Sequence, residues 1–159
     1  MPELPEVETV CRGLSHLMAG RVLMRVDVRR KNLRIPFPPR MAERLTGRRV
    51  LRIYRRAKYI IMDLDSDEAV IAHLGMSGRM ATVPQGAALE AHDHVVFHLD
   101  NHVEVRFNDP RRFGLMTLCK KTELDMHKLF KGQGPDPITG DFTPAMLVKA
   151  LKGRSTSIK

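Results

Sequence analysis

Tryptophan is absent from these 159 residues, and aromatic side chains make up only 5% of them. Any core must rest on aliphatic side chains and methionine, and a hydrophobic content of 43% with ten methionines suffices for one. Cysteine is scarce as well. Cys11 and Cys119 are too few for a disulfide framework or a structural zinc site of their own, so they read as core or surface thiols, reduced inside a cell. No apolar run approaches the length that spans a bilayer, and the first residues are acidic where a secretory leader is basic. Cytoplasm is the expected compartment, with no membrane partner. Acidic residues are outnumbered, since 27 Lys and Arg face 18 Asp and Glu for a net charge of +9. An excess of that size points to a polyanionic partner. The basic residues fall in short knots (Arg29-Arg30-Lys31, Arg48-Arg49, Arg55-Arg56 with Lys58, Arg111-Arg112, Lys120-Lys121), which suits a folded binding face better than a disordered arm.

Periodicity gives the elements. Residues 5–18 read as an amphipathic helix stopped at Gly20. Residues 22–28 alternate with the two-residue period of a half-buried strand. Prolines at 36, 38 and 39 break the chain before a short helix at 41–45. Runs at 50–54 and 59–64 are rich in β-formers and flank the knot containing Lys58, and residues 70–74 read as a further strand. A turn at 75–78 and a flexible Ala- and Gly-rich stretch at 83–91 follow. Alternation at 95–99 and 103–107 around Asp100-Asn101 is a hairpin signal, and 113–119 adds one more strand. The fold class expected is α+β, mainly β: a two-layer β-sandwich with flanking helices, followed by the first helix of a truncated helical module. Residues 1–120 form the sandwich domain and 121–140 a linker, with a short helical piece at 123–130. In 141–159, Thr143 caps a helix that has Pro144 in its first turn and ends near Gly153.

Chemistry gathers at a few places. The chain starts Met1-Pro2-Glu3-Leu4-Pro5-Glu6, and a small second residue permits removal of the initiator methionine, leaving the secondary amine of Pro2 beside the carboxylate of Glu3. An α-amino group titrates roughly 2.5 units below a lysine, so near neutral pH its nucleophilic fraction is roughly a few hundred times larger, an advantage that a secondary amine partly erodes. It can attack an electrophilic sugar or carbonyl carbon through an iminium intermediate. The same residues also read as an ordinary helix start, with Pro5 in the first turn and Glu6 and Glu8 at the positive end of the dipole. Lys58 suits a phosphate or a proton transfer, or a solvated surface. Met76 stands between Gly75 and Gly78 on a turn. Arg111 and Phe113 lie two residues apart, placed to face one way on an extended turn. An enzyme that extrudes a base from duplex DNA needs apolar wedges and a polar group for the orphaned partner, and Met, Phe and Arg suit those tasks. His92, His94 and His98 share a strand face, but no carboxylate or thiol pattern completes a metal site.

Pro2-Glu3-Leu4-Pro5-Glu6-Val7-Glu8-Thr9, Arg55-Arg56-Ala57-Lys58-Tyr59, His73-Leu74-Gly75-Met76-Ser77-Gly78, His92-Asp93-His94-Val95 and Asp109-Pro110-Arg111-Arg112-Phe113-Gly114 together resemble the bacterial formamidopyrimidine-DNA glycosylases. Leu4 favours the oxidised-purine branch over the endonuclease VIII branch, which carries glycine there. The resemblance implies that Pro2 attacks C1′ of the damaged nucleoside, Glu3 donates a proton, and Lys58 serves elimination at the abasic sugar. It implies void-filling roles for Met76, Arg111 and Phe113, and DNA contacts by His92, Arg111, Arg154 and Lys159. It further implies excision of 8-oxoguanine and formamidopyrimidines with β,δ-elimination, on double-stranded DNA carrying oxidised purines or abasic sites, by a monomer in the bacterial cytoplasm at the nucleoid. Residues 141–159 would be an incomplete helix-two-turn-helix module. The family's one zinc sits in a C-terminal four-cysteine finger that this sequence does not contain, so no cofactor is expected here. The rival expectation is a DNA-binding remnant without catalysis.

Overall fold

The computed structural model describes residues 1–133 and 143–155. Helix α1 (Leu4–Met18) starts from a reciprocal capping box: the Glu3 amide donates to Glu6 Oε2 at 2.7 Å, and the Glu3 side chain accepts from the Glu6 amide. Its buried residues Val7, Cys11, Leu14 and Met18 recur at helical spacing and form one apolar stripe. The strands are β1 (Leu23–Val28), β2 (Val50–Arg56), β3 (Tyr59–Leu64), β4 (Glu68–His73), β5 (Arg79–Pro84), β6 (Asp93–Leu99), β7 (Val103–Asn108) and β8 (Leu115–Lys120), with the short helix α2 (Met41–Leu45) between β1 and β2.

They form two antiparallel four-stranded sheets, one ordered β1-β6-β7-β5 and the other β2-β3-β4-β8. Inward residues of both, among them Val26, Phe97, Val105 and Phe107 facing Ile60, Met62, Val70 and Met116, join α1 and α2 in one core. This is the two-layer sandwich expected. The second sheet is covered on its outer side too, where Ile61, Ala69 and Ile71 meet Leu124 and Phe130. Coverage on both sides explains why β3 and β4 read as continuous apolar runs rather than alternating ones. The covering segment is a 3-10 helix (Lys121–Met126) with the turns after it, where a short helix at 123–130 within a linker was expected. Helix α3 (Pro144–Leu151) has the expected cap, Thr143 Oγ1 accepting from the Met146 amide at 3.3 Å. The rest of the expected linker and helical module, residues 134–142 and 156–159, lies outside the described residues.

Two expectations are corrected. Residues 79–84 form the edge strand β5, and the stretch expected to be flexible after it is tied down: Arg106 donates to the carbonyls of Ala87 and Ala88 at 2.6 and 2.8 Å, and the Gly86 amide donates to Glu104. Phe113, expected to open the last strand, stays in the loop before β8.

Candidate active site

The sheet topology brings the chemistry to one end of the sandwich. Strands β4 and β8 are neighbours in one sheet, and β5 and β7 are neighbours in the other. The connections β4–β5 and β7–β8 therefore cross between the layers side by side. The first carries Met76 and the second Arg111 and Phe113, all exposed. Their backbones run so close that a Cβ on Gly75, whose φ is +62°, would lie 2.4 Å from the Gly114 nitrogen. Gly114 is as confined, with Asp109 Oδ2, His73 O and Phe107 Cζ each 2.8 Å from where its Cβ would stand. Glycine is needed at both positions.

Asp109, fully buried, clamps the two crossovers together. Its Oδ1 accepts from Ser77 Oγ at 2.7 Å, beside Met76, and its Oδ2 accepts from the Gly114 amide at 2.8 Å. Ser77 Oγ in turn accepts from the Arg111 amide at 3.1 Å. The Arg111 guanidinium lies 5.1 Å from the centre of the Phe113 ring, a cation–π pair. These two side chains share a face as expected, although Arg112 between them turns left-handed at φ +58° instead of extending. Three projecting side chains thus stand on one rigid base.

The start of the chain shares a cleft with Met76. Pro2, half-buried, lines an open cleft of about 450 Å³ with Met1, Glu6, Val10, Leu74, Met76 and Met80. Lys58 occupies the second position of the two-residue turn joining β2 to β3, and Ala57 before it has φ +52°. Lys58 Nζ reaches to 2.9 Å from Glu3 Oε2. Glu3 is 59% exposed, so the pair contributes little stability and matters for placement. Tyr59, next to Lys58, pairs in register with His73 at the end of β4, which ties the Lys58 turn to the crossover bearing Met76.

His73 is buried, and burial, with the nearby charges of Arg34 and Lys58, depresses its pKa below the ordinary 6.5. Its Nδ1 accepts from the Gly75 amide at 2.9 Å, so the neutral ring carries its proton on Nε2. His92 is exposed at the end of the tied-down loop, its carbonyl accepting from the Asp109 amide at 3.1 Å. His94 is buried against the Asp109 carbonyl at 2.8 Å, and burial holds its pKa down as well. Arg154 is exposed just past α3, and Lys159 lies outside the described residues. Pro2 and Met76 therefore line one cleft, Glu3 next to Pro2 in the chain pairs with Lys58, and Arg111 and Phe113 share the clamp that holds Met76.

Comparison with known proteins gives this arrangement a family. The formamidopyrimidine-DNA glycosylase N-terminal domain model matches residues 1–116. The chain belongs to the formamidopyrimidine-DNA glycosylase family. Curated formamidopyrimidine-DNA glycosylases of Ruegeria sp. (strain TM1040) and Ruegeria pomeroyi are 56% and 54% identical to it, in alignments covering 100% of this chain and 59% of each relative. The chain thus spans 59% of the length of those relatives. Among solved structures, the Lactococcus lactis Fpg in complex with N7-benzyl-Fapy-dG containing DNA superposes with a TM-score of 0.89 at 30% identity, over 99% of this chain and 58% of that one. The same organism's protein non-covalently bound to AP-site containing DNA gives 0.86 at 28% identity, over 99% and 60%.

The described residues offer no set that fits the zinc implied by the family resemblance. Among the described residues no group of three His, Cys, Asp or Glu is placed to hold a metal ion, and His98 is engaged by Asp27 at 2.8 Å. Burial pushes the Cys11 thiol up to about 12 and raises that of Cys119, so neither offers a ready thiolate. No helix among the described residues is long and apolar enough to cross a membrane. His73, Ser77 and Asp109 lie inside the motifs without an expected task, and Arg55 stands there only as part of a basic knot. The available signal is position: Ser77 follows Met76 directly, and Asp109 stands two residues before Arg111.

Proposed function

We propose that the chain carries the excision chemistry of a DNA glycosylase/AP lyase acting on oxidised purines, 8-oxoguanine and formamidopyrimidines, in double-stranded DNA, and on abasic sites. Removal of Met1, which is 55% exposed and lines the same cleft, exposes the Pro2 amine there. The nitrogen forms a bond to C1′ of the damaged nucleoside as the bond from C1′ to the base breaks. Glu3 supplies the proton that lets the sugar ring open, and a Pro2 iminium results. Loss of a C2′ proton then expels the 3′ phosphate, a second elimination expels the 5′ phosphate, and water releases Pro2. Lys58 serves the eliminations by proton transfer and by its charge beside the departing phosphates. Met76, Arg111 and Phe113 occupy the space left by the extruded nucleotide.

The observation that carries this reading is the contact of Lys58 Nζ with Glu3 Oε2 at 2.9 Å, Glu3 being the chain neighbour of Pro2, which lines a cleft with Met76. Exposed His92 and Arg154, with Lys159, extend the reading to phosphate contacts by a monomer on DNA. The relatives' names and the DNA in the superposed structures support it further. Borohydride trapping on an 8-oxoguanine duplex and on an abasic duplex tests it. A covalent adduct mapping to Pro2 is expected, together with a mature N-terminus at Pro2 by mass spectrometry. DNA binding without an adduct at protein excess would establish the rival, a DNA-binding chain without catalysis.

A further inference from the structure

Two successive arginines precede the Lys58 turn, and the strand period sends them to opposite faces of the sheet. Arg56 points outward, its guanidinium 2.7 Å from Asp125 Oδ1 and stacked over the Phe130 ring at 4.4 Å. Arg55 points the other way and is buried, with its side chain only 1% exposed. Its Nε donates to Glu8 Oε2 at 2.8 Å, and its Nη1 donates to the Ala57 carbonyl at 2.9 Å. Glu8 lies on α1, the helix whose capping residue is Glu3. The Ala57 carbonyl belongs to the peptide bond leading into Lys58. One rigid guanidinium fork therefore bridges the element that presents Pro2 and Glu3 and the turn that presents Lys58.

That turn needs holding. Ala57 sits at φ +52°, a left-handed conformation that is costly for a residue with a Cβ and persists where surrounding contacts over-determine it. The helix already has its apolar stripe to dock it, and the hairpin has its ladder; neither fixes the carbonyl at the tip. Burying a guanidinium is expensive unless it is paired and hydrogen-bonded, and here the Nε and Nη1 bonds go to the two parts of the site.

We propose that Arg55 is the positioning residue that sets Lys58 against Glu3 and Pro2, acting through Glu8 and the Ala57 carbonyl without touching DNA. Its effect on strand scission rests on the excision reading above; its effect on Lys58 placement does not. Arg55→Lys keeps the charge but cannot reach both acceptors at once. The double variant Arg55→Met with Glu8→Gln removes the buried guanidinium together with the charge of Glu8, and Arg12, which also pairs with Glu8, is 78% exposed and solvated, so the double variant is the milder test of the fold.

The first readout is the acylation rate of Lys58 relative to the other lysines, followed by mass spectrometry. It is expected to rise about two- to fivefold in both variants as the pairing with Glu3 loosens. The second is scission of an abasic duplex in single turnover, expected to fall about ten- to hundredfold with duplex affinity unchanged, as misplacement of a reacting group demands. An unchanged Lys58 acylation rate in folded variants overturns the assignment, and so does unfolding of both variants at the assay temperature, which would make Arg55 a plain structural strut. A parent chain that neither traps nor cleaves DNA refutes the excision reading, while the acylation measurement still decides the role of Arg55.

Discussion

Replacing Asp109 by alanine tests whether the two crossovers are one mechanical unit. The carboxylate accepts one bond from the buried Gly114 amide and one from the half-buried Ser77 hydroxyl. Orphaning the buried amide costs about 2–3 kcal/mol, and the hydroxyl, which regains water, costs about 1 kcal/mol more. The sum of about 3–4 kcal/mol corresponds to a fall in Tm of about 6–16 °C for a domain of this size. Asp109→Asn behaves differently, because its amide oxygen still accepts from the Gly114 amide while its NH2 turns to Ser77 Oγ. That variant is expected to lose about 1 kcal/mol, or about 2–4 °C. Melting followed by far-ultraviolet circular dichroism gives the Tm values, and hydrogen exchange at the Gly114 amide gives the local opening. Exchange there should accelerate in the alanine variant and stay slow in the asparagine variant. Equal Tm values for the two variants, or a protected Gly114 amide in Asp109→Ala, would refute the clamp.

Glycine substitutions separate crowding from backbone freedom. Gly75→Ala puts a Cβ 2.4 Å from two backbone atoms of the neighbouring crossover at a φ of +62°, and it should cost about 2–5 kcal/mol in thermal melts, from strain and overpacking together. Gly13, within α1 and with nothing within 4 Å of its Cβ position, is the control: Gly13→Ala should stabilise by about 0.5–1 kcal/mol. His73 gives a pH dependence. Its folded pKa lies below 6.5, so beneath that pH the unfolded chain takes up a proton that the folded chain refuses, and stability falls as pH drops from 6.5 toward the folded value. His73→Asn retains an acceptor for the Gly75 amide and cannot titrate; a plot of Tm against pH for this variant should be flatter between pH 7 and 5, and an unchanged slope would assign the loss to other groups.

Where burial follows local spacing, the chain was readable. The stripe Val7, Cys11, Leu14, Met18 and the capping residues before it located α1, and alternation located β1, β6 and β7. Strand β5 escaped because it is a half-exposed edge ending in Pro84, with no clean alternation and no second partner strand to bury it. The outer face of β7 shows a subtler failure. Glu104, Arg106 and Asn108 sit at the polar positions of the alternation, yet each is buried, because the 85–92 loop folds back over them and Asp93 binds Asn108 and Arg106. A long-range cover of that kind leaves no local periodicity to read.

The site divides along the same line. Pro2, Glu3 and Lys58 were legible as residue types, since a proline amine, an acid beside it and a lysine in a basic knot each advertise a chemistry. What brings Met76 beside Arg111 and Phe113 was not legible, because it depends on topology: two crossovers run side by side only when β4 and β8 share one sheet and β5 and β7 the other. The residues that convert that topology into a fixed geometry are themselves buried charges or glycines, Asp109 and Arg55 on one hand, Gly75 and Gly114 on the other. In sequence a buried arginine looks like the exposed arginine beside it. Arg55 and Arg56 differ by one position, and the strand period alone assigns one to the turn bearing Lys58 and the other to Asp125 and Phe130 of the covering segment. The turn bearing Lys58 is thus held from both faces of its sheet, and a change on either face should reach the lysine.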